Sequence, residues 1–235
     1  EVANGGAISH YSSEDIEFDE DRNSTSQNTN SSRTIPGTLN IQNNYFEGNS
    51  SGDGENFYSF GFEGSIDVSH SVFEDIDCET NSVNDYVLRS KENEADYVQN
   101  GISGNCIESN SFYVSNSGDD NNAGTVSEPL KTIGHALTLV KDGATATTIN
   151  LASGVYSPST NGEIFPIVLP DKIHLIGDAS ETTILDAEAD ENEEAAVIII
   201  KEVEDVRVAN LTLTGGYSEG HGCTGGGGLL LTADD

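Results

Sequence analysis

The chain lacks methionine and tryptophan altogether and is short of basic residues, with 9 Lys+Arg against 41 Asp+Glu and a formal net charge of −32. So few cations exclude a nucleic-acid binder, because nothing is present to neutralise a run of phosphates. They also exclude docking on an anionic membrane, which needs basic clusters. There is no run of 18 apolar residues, so no helix of the chain inserts into a bilayer. Hydrophobic residues make up only 34% of the 235 positions, too few for a large conventional core. Yet they come in short bursts rich in β-formers, which separates the chain from disordered sequences. The length allows one long domain or two short ones. Three cysteines, Cys78, Cys106 and Cys223, are an odd number and no disulfide framework. Cys78 and Cys106 pair if the chain is exported; the alternative is that all three are small buried residues. The chain starts at Glu1 and stops in a strand-like run, and we read both ends as cuts within a longer protein.

What the sequence does contain is self-similarity. Thr38–Glu47 aligns without a gap with Ser65–Glu74, and Asp205–Gly215 is a third copy. Asp15–Asp19 is a fragment of a fourth. Each copy alternates polar and apolar residues, turns at a small polar corner and starts another short strand. The period of two puts Leu39 and Ile41 on one face and Asn40 on the other. A second set of bursts, Thr147–Leu151, Lys172–Ile176 and Val197–Lys201, repeats in steps of 24 and 25 residues. Such steps are too short for a βαβ crossover and too regular for a sandwich. They fit one turn of a solenoid with three short strands per coil. The expected fold is therefore all-β, a right-handed parallel β-helix, in which Ile149, Ile173 and Ile198 stack as one inward column, as do Leu39 and Ile66. Val206 is the inward residue of its own coil. Asn43 and Asn210 at the corners suggest an asparagine ladder that His70 interrupts.

One segment reads as a helix. Leu130, Ile133, Leu137 and Val140 recur at helical spacing, with Ser127 in the N-cap place, Pro129 in the first turn and Gly143 as a stop. This amphipathic segment, about 129–141, is expected to cover the open end of a coil stack.

The stretches Phe112–Thr125, Glu128–Ile133, Ile149–Tyr156, Asn161–Ile167 and Ile173–Asp178 resemble, in that order, the start of bacterial secreted right-handed parallel β-helix proteins, the pectate-lyase-like group with an uncharacterised N-terminal module. Gly5–Ile8 and Phe46–Asn49 resemble two short repeat motifs of polymorphic outer-membrane adhesins, and Gly227–Leu230 is a looser echo. These resemblances imply coils from the end of one β-helix over 1–80, a connector over 81–111 that includes the polar run Arg89–Glu94, and the capped start of a second β-helix over 112–235. They do not select one function, because the group holds lyases, hydrolases and adhesins.

The candidate chemistry is carried mainly by carboxylates. Asp15, Glu17 and Asp19 point outward if Ile16 and Phe18 point in, about 7 Å apart along the strand, and hard oxygen ligands of this kind suit calcium. Asp119 and Asp120 lie in an oxygen-rich turn that offers a second calcium site, although it lacks the EF-hand pattern. The plain alternatives are a solvated acidic face and an Asx-rich turn. A lyase would need an Arg or Lys base beside calcium-bound acids. Arg207, next to Asp205, is the candidate base, while Lys172 and Lys201 stand alone. A hydrolase would need paired carboxylates, for which Asp178 and Asp186 are nominal candidates. His221 and Cys223 supply two soft-metal ligands without two more, in a Gly-rich loop that is not a phosphate loop. The function expected from these residues is an extracellular or cell-surface module, structural or adhesive and non-catalytic, whose partners are glycans or neighbouring subunits. The alternative is a carbohydrate-active lyase or hydrolase whose active coils lie elsewhere.

Overall fold

The structure is a computed structural model that describes residues 8–11, 37–51, 54–91, 95–141, 145–201, 203–219 and 226–232. Over the described residues the chain winds as a parallel β-solenoid of about six turns with one short helix. Strands β1 (Ile8–Tyr11) and β2 (Gly37–Asn40) belong to the first coil, and β3 (Phe57–Phe60), β4 (Gly64–Asp67) and β5 (Val72–Ile76) form the second. The third coil is β6 (Leu88–Lys91), β7 (Asp96–Val98) and β8 (Ser103–Cys106). A second stack opens with β9 (Ser111–Val114) and helix α1 (Ile133–Thr138). It continues through β10 (Thr147–Leu151), β11 (Gly154–Tyr156) and β12 (Ile167–Leu169), then β13 (Ile173–Gly177), β14 (Thr183–Asp186) and β15 (Ile198–Lys201). The last coil is β16 (Arg207–Ala209), β17 (Thr212–Thr214) and β18 (Leu229–Thr232). Every named strand pairing is parallel, so each coil lays its three strands onto the same three faces as the coil before it.

The repeat of 27 residues is the height of one coil. Leu39 lies opposite Ile66, and Ile66 opposite Tyr97. Phe46 and Phe73, also equivalent in the repeat, stack with ring centroids 4.9 Å apart. The corner residues Asn43, His70 and Gly101 all take positive φ (59°, 58° and 64°), as does Asn210 (57°). Among the described residues the side chains of Asn43 and Asn210 bond no neighbouring coil, so the expected amide ladder does not form. The corner is selected for left-handed backbone conformation, which Asn, His and Gly reach at low cost. Gly101 is required there, since a Cβ would meet the His70 ring at 2.9 Å.

In the second stack Ile149, Ile173 and Ile198 are all fully buried, but they do not form one column. Ile149 faces Leu175 and Ile173 faces Thr147, two residues out of step, while Ile198 lies on another face between Ile167 and Leu229. The actual columns are Phe112–Ile149–Leu175–Val208, Tyr156–Leu185–Leu213 and Ile167–Ile198–Leu229. The even sequence steps misled because the loops between strands differ in length, so equal spacing linked strands of different faces. Val206 is partly buried against this core.

Residues 81–111, expected as a connector, hold β6, β7 and β8 and complete a third coil of the first stack. Leu88–Lys91 is strand, in which Arg89, opposite Tyr58, alternates with the buried Leu88. Val87, Leu88, Ala95 and Ile102 supply the buried side of that coil. Among the described strands none pairs across 107–110, which is where one core ends and the other begins. Cys78 and Cys106 form a disulfide (Cα–Cα 5.3 Å) between coils two and three, next to the register pair Ile76–Cys106. Both cysteines are exposed, so the alternative of small buried residues does not apply to them.

The helix is shorter than expected, six residues, and its N-cap is Thr132 rather than Ser127. Leu130 remains extended because its N–H donates to the Tyr113 carbonyl (2.9 Å) and its own carbonyl accepts from Ser115 N–H (2.8 Å), a bridge along β9. Leu130, Ile133, Leu137 and Val140 nonetheless all face the core. Together with Ala136 they cover the open end of the second stack. The far end of α1 is held from the other stack. The Asn84 side chain, buried, donates from Nδ2 to the carbonyls of Leu137 (3.2 Å), Thr138 (3.3 Å) and Val140 (2.7 Å). Its Oδ1 accepts from the N–H groups of Tyr86 (2.9 Å) and Val87 (3.2 Å). A six-residue helix is marginal by itself; this one exists because one stack caps each of its ends.

Candidate functional site

The junction of the two stacks encloses a cleft with two adjoining chambers, of about 400 and about 710 Å³. Glu74, Asp120, Asn121 and His135 line both. One wall comes from β5 and the loop between β2 and β3, the other from α1 and the turn after β9. The smaller chamber adds Glu55, Lys131 and Glu163, and the larger adds Tyr45, Glu47, Asn105, Glu108 and Asn122. Tyr45 stands 65% exposed although large and aromatic, because it is bridged to Val72 in extended backbone, where neighbouring side chains take opposite faces and Phe46 takes the buried one.

The floor is rigid. Glu163 is almost wholly buried and accepts from the N–H groups of Ile133 (2.8 Å) and Gly134 (3.0 Å), the first amides of α1. Burial pushes its carboxyl up to about 7, opposed by those two backbone bonds and by Asn161. Asn161 in turn donates to the Lys131 carbonyl at 2.9 Å. Among the described residues Glu55 has no such support: burial, then the negative charges of Glu74 and Asp75, push it up to about 8. Asp75 is raised by burial and partly relieved by His135 of α1. The cleft therefore holds two carboxyls, Glu55 and Glu163, that burial shifts toward the protonated form.

The residues expected to carry chemistry fall elsewhere or serve the backbone. Asp119 Oδ1 accepts from Asn121 N–H (3.0 Å) and Nδ2 (2.7 Å), bonds that hold its carboxyl below the usual range. Asp120 accepts from Lys131 N–H (2.8 Å), Thr132 N–H (2.9 Å) and Thr132 Oγ1 (2.9 Å), pinning the start of α1. A calcium ion there would compete with those donors. Asp15, Glu17, Asp19, His221 and Cys223 lie outside the described residues. Among the described residues no three His, Cys, Asp or Glu side chains are grouped to hold a metal ion. Arg207 is exposed on β16, opposite His174, and Asp205 Oδ1 lies 3.4 Å from His174 Nε2. Lys172 occupies a corner at φ 58° and Lys201 ends β15. Asp178 accepts from Ser153 Oγ (2.8 Å) of the preceding coil, and Asp186 accepts from Glu188 N–H (3.1 Å) in its own turn. Arg207, Lys172, Lys201, Asp178 and Asp186 all lie away from the cleft.

Glu55 and Glu163 were not singled out from the sequence. Glu163 did carry a signal, a lone acid ahead of Ile164–Leu169 where every other residue is apolar or Pro. Glu55, between Gly54 and Asn56, carried none.

No curated protein and no solved structure matches the chain. A family model described as Protein of unknown function (DUF1565) matches residues 115–218, the span from the turn after β9 through α1 to β17.

Proposed function

We propose that this β-helix domain is an exported, non-catalytic surface module that binds neutral glycans in the cleft between its two stacks. The observation that carries the reading is the lining of the larger chamber. An exposed aromatic ring, Tyr45, sits with the amides of Asn105 and Asn122 and several carboxylates. Sugar rings stack on aromatic faces, and their hydroxyls use such acceptors and donors. The solvent-exposed disulfide suits an oxidising compartment. A surface of net charge −32 repels uronate chains, whereas neutral glycans meet no such barrier.

One observation favours the alternative, a carbohydrate-active enzyme. Glu55, whose carboxyl burial pushes up to about 8, lines the cleft with Glu74, and a raised carboxyl beside a second one is the arrangement of a general acid with its partner. The test is isothermal titration against neutral and uronate oligosaccharides, with Tyr45→Ala, alongside product assays over hours. The expected result is binding of a neutral glycan that falls at least tenfold in Tyr45→Ala, with no product from any polysaccharide. No binding would overturn the proposal. Turnover lost in Glu55→Gln would establish the hydrolase reading, and turnover on polygalacturonate or alginate lost in Arg207→Ala the lyase reading.

A further inference from the structure

The Asn-x-Ser/Thr triplet is the acceptor signature for N-linked sugar. The chain contains it at Asn49-Ser50-Ser51 and Asn210-Leu211-Thr212, and also at Asn23 and Asn30, which lie outside the described residues. The two described triplets sit in opposite settings. Asn49 lines the smaller chamber of the cleft, its Nδ2 donates to Asn56 Oδ1 at 2.8 Å, and Asn56 and Ser51 are both buried. A sugar on Asn49 would replace one of the two Nδ2 protons, crowd that bond and fill the junction of the two stacks.

Asn210 is the corner between β16 and β17, at φ 57°, and is exposed. Among the described residues its side chain makes no hydrogen bond. Thr212, which completes the triplet, is also exposed, its hydroxyl donating to the Ser180 carbonyl at 2.7 Å. Corners of a solenoid point away from the core and from the stacking direction, so a glycan here crosses no strand pairing.

We propose that Asn210 is an acceptor for an N-linked oligosaccharide, an inference that rests on the reading of the chain as exported. The donor is a lipid-pyrophosphate-linked oligosaccharide. Asn210 Nδ2 forms the bond to C1 of the first sugar, the bond from C1 to the phosphate oxygen breaks, and the lipid pyrophosphate leaves with the electron pair. One amide proton passes to the transferase's base, and nothing is oxidised or reduced. A glycan at this corner shields the neighbouring β16–β17 surface and leaves the cleft open.

The test is secretion of the full chain from yeast, followed by glycosidase release in heavy-oxygen water and peptide mapping, which marks each modified Asn by mass. Thiol labelling of the same samples reads the Cys78–Cys106 pair. The expected result is secreted, oxidised protein modified at Asn210 in most molecules and unmodified at Asn49. The Asn210 mark is expected to vanish in Thr212→Val, which removes the triplet and keeps the corner residue. Secreted, oxidised protein with Asn210 bare, or with Asn49 modified instead, overturns this inference and leaves the export reading standing. Retention inside the cell with reduced cysteines overturns both.

Discussion

Replacing Asn84 tests whether the two stacks act as one body. Its carboxamide is the buried link between them, giving three bonds to the carbonyls that end α1 and taking two from the chain at Tyr86 and Val87. Not all five bonds weigh equally. Leu137 O and Val87 N–H each have another backbone partner, Val140 N–H and the Asn84 carbonyl respectively. The losses that matter are the 2.7 Å bond to Val140 O and the 2.9 Å bond from Tyr86 N–H. Leaving a buried polar group without its bond costs about 1–3 kcal/mol, so Asn84→Ala should destabilise by about 3–5 kcal/mol. Asn84→Asp separates the two halves of the link. It keeps the acceptor for Tyr86 and Val87 but turns a negative charge toward three carbonyls, and should cost more than the alanine at pH 8. Urea unfolding gives the free energies. Hydrogen exchange reports whether amides 133–140 open ahead of the strands, as expected if α1 depends on both stacks. A loss below about 1 kcal/mol for Asn84→Ala, or protection of α1 unchanged in both variants, would refute the reasoning.

Three further outcomes follow from the same geometry. The Cys78–Cys106 link closes a separation of 28 residues, so Cys78→Ser should cost about 3–4 kcal/mol by loop-closure entropy, read as a lower urea midpoint that matches the reduced wild type. Glu55 and Glu163 titrate at about 8 and about 7 in the folded chain against 4.5 ordinarily. The folded state thus holds protons that the unfolded state releases, and stability should fall as pH rises from about 5 to 8. Glu55 alone accounts for about 3–4 kcal/mol of that fall, so Glu55→Gln should flatten the profile of melting temperature against pH; an unchanged slope would contradict the burial argument. Sodium chloride should raise the melting temperature by screening the net charge of −32, and calcium and magnesium should act equally at matched ionic strength. A rise specific to calcium that Asp120→Asn abolishes would restore a metal site in that turn, and one that survives would point to Asp15, Glu17 and Asp19.

The sequence by itself determined the class of fold, because a coil repeats its demands every turn. Alternating Leu39, Ile41 and Ile66, the gapless 27-residue offset, and corner residues that tolerate positive φ are local requirements written at each copy. Burial of Leu130, Ile133, Leu137 and Val140 was legible for the same reason. Tertiary structure alone decided the rest. Which burst stacks on which depends on loop lengths, so Ile149 meets Leu175 rather than Ile173. Where the first stack ends depends on the strand pairing of β6–β8, whose polar residues read as a linker. Above all, the cleft is made by residues from separated coils: Tyr45, Glu55 and Glu74 from one stack, His135 and Glu163 from the other. No spacing along the chain encodes that meeting. The raised pKa values of Glu55 and Glu163 likewise come from burial and, for Glu55, from Glu74 and Asp75, which are distant along the chain and become its neighbours only in the folded coil.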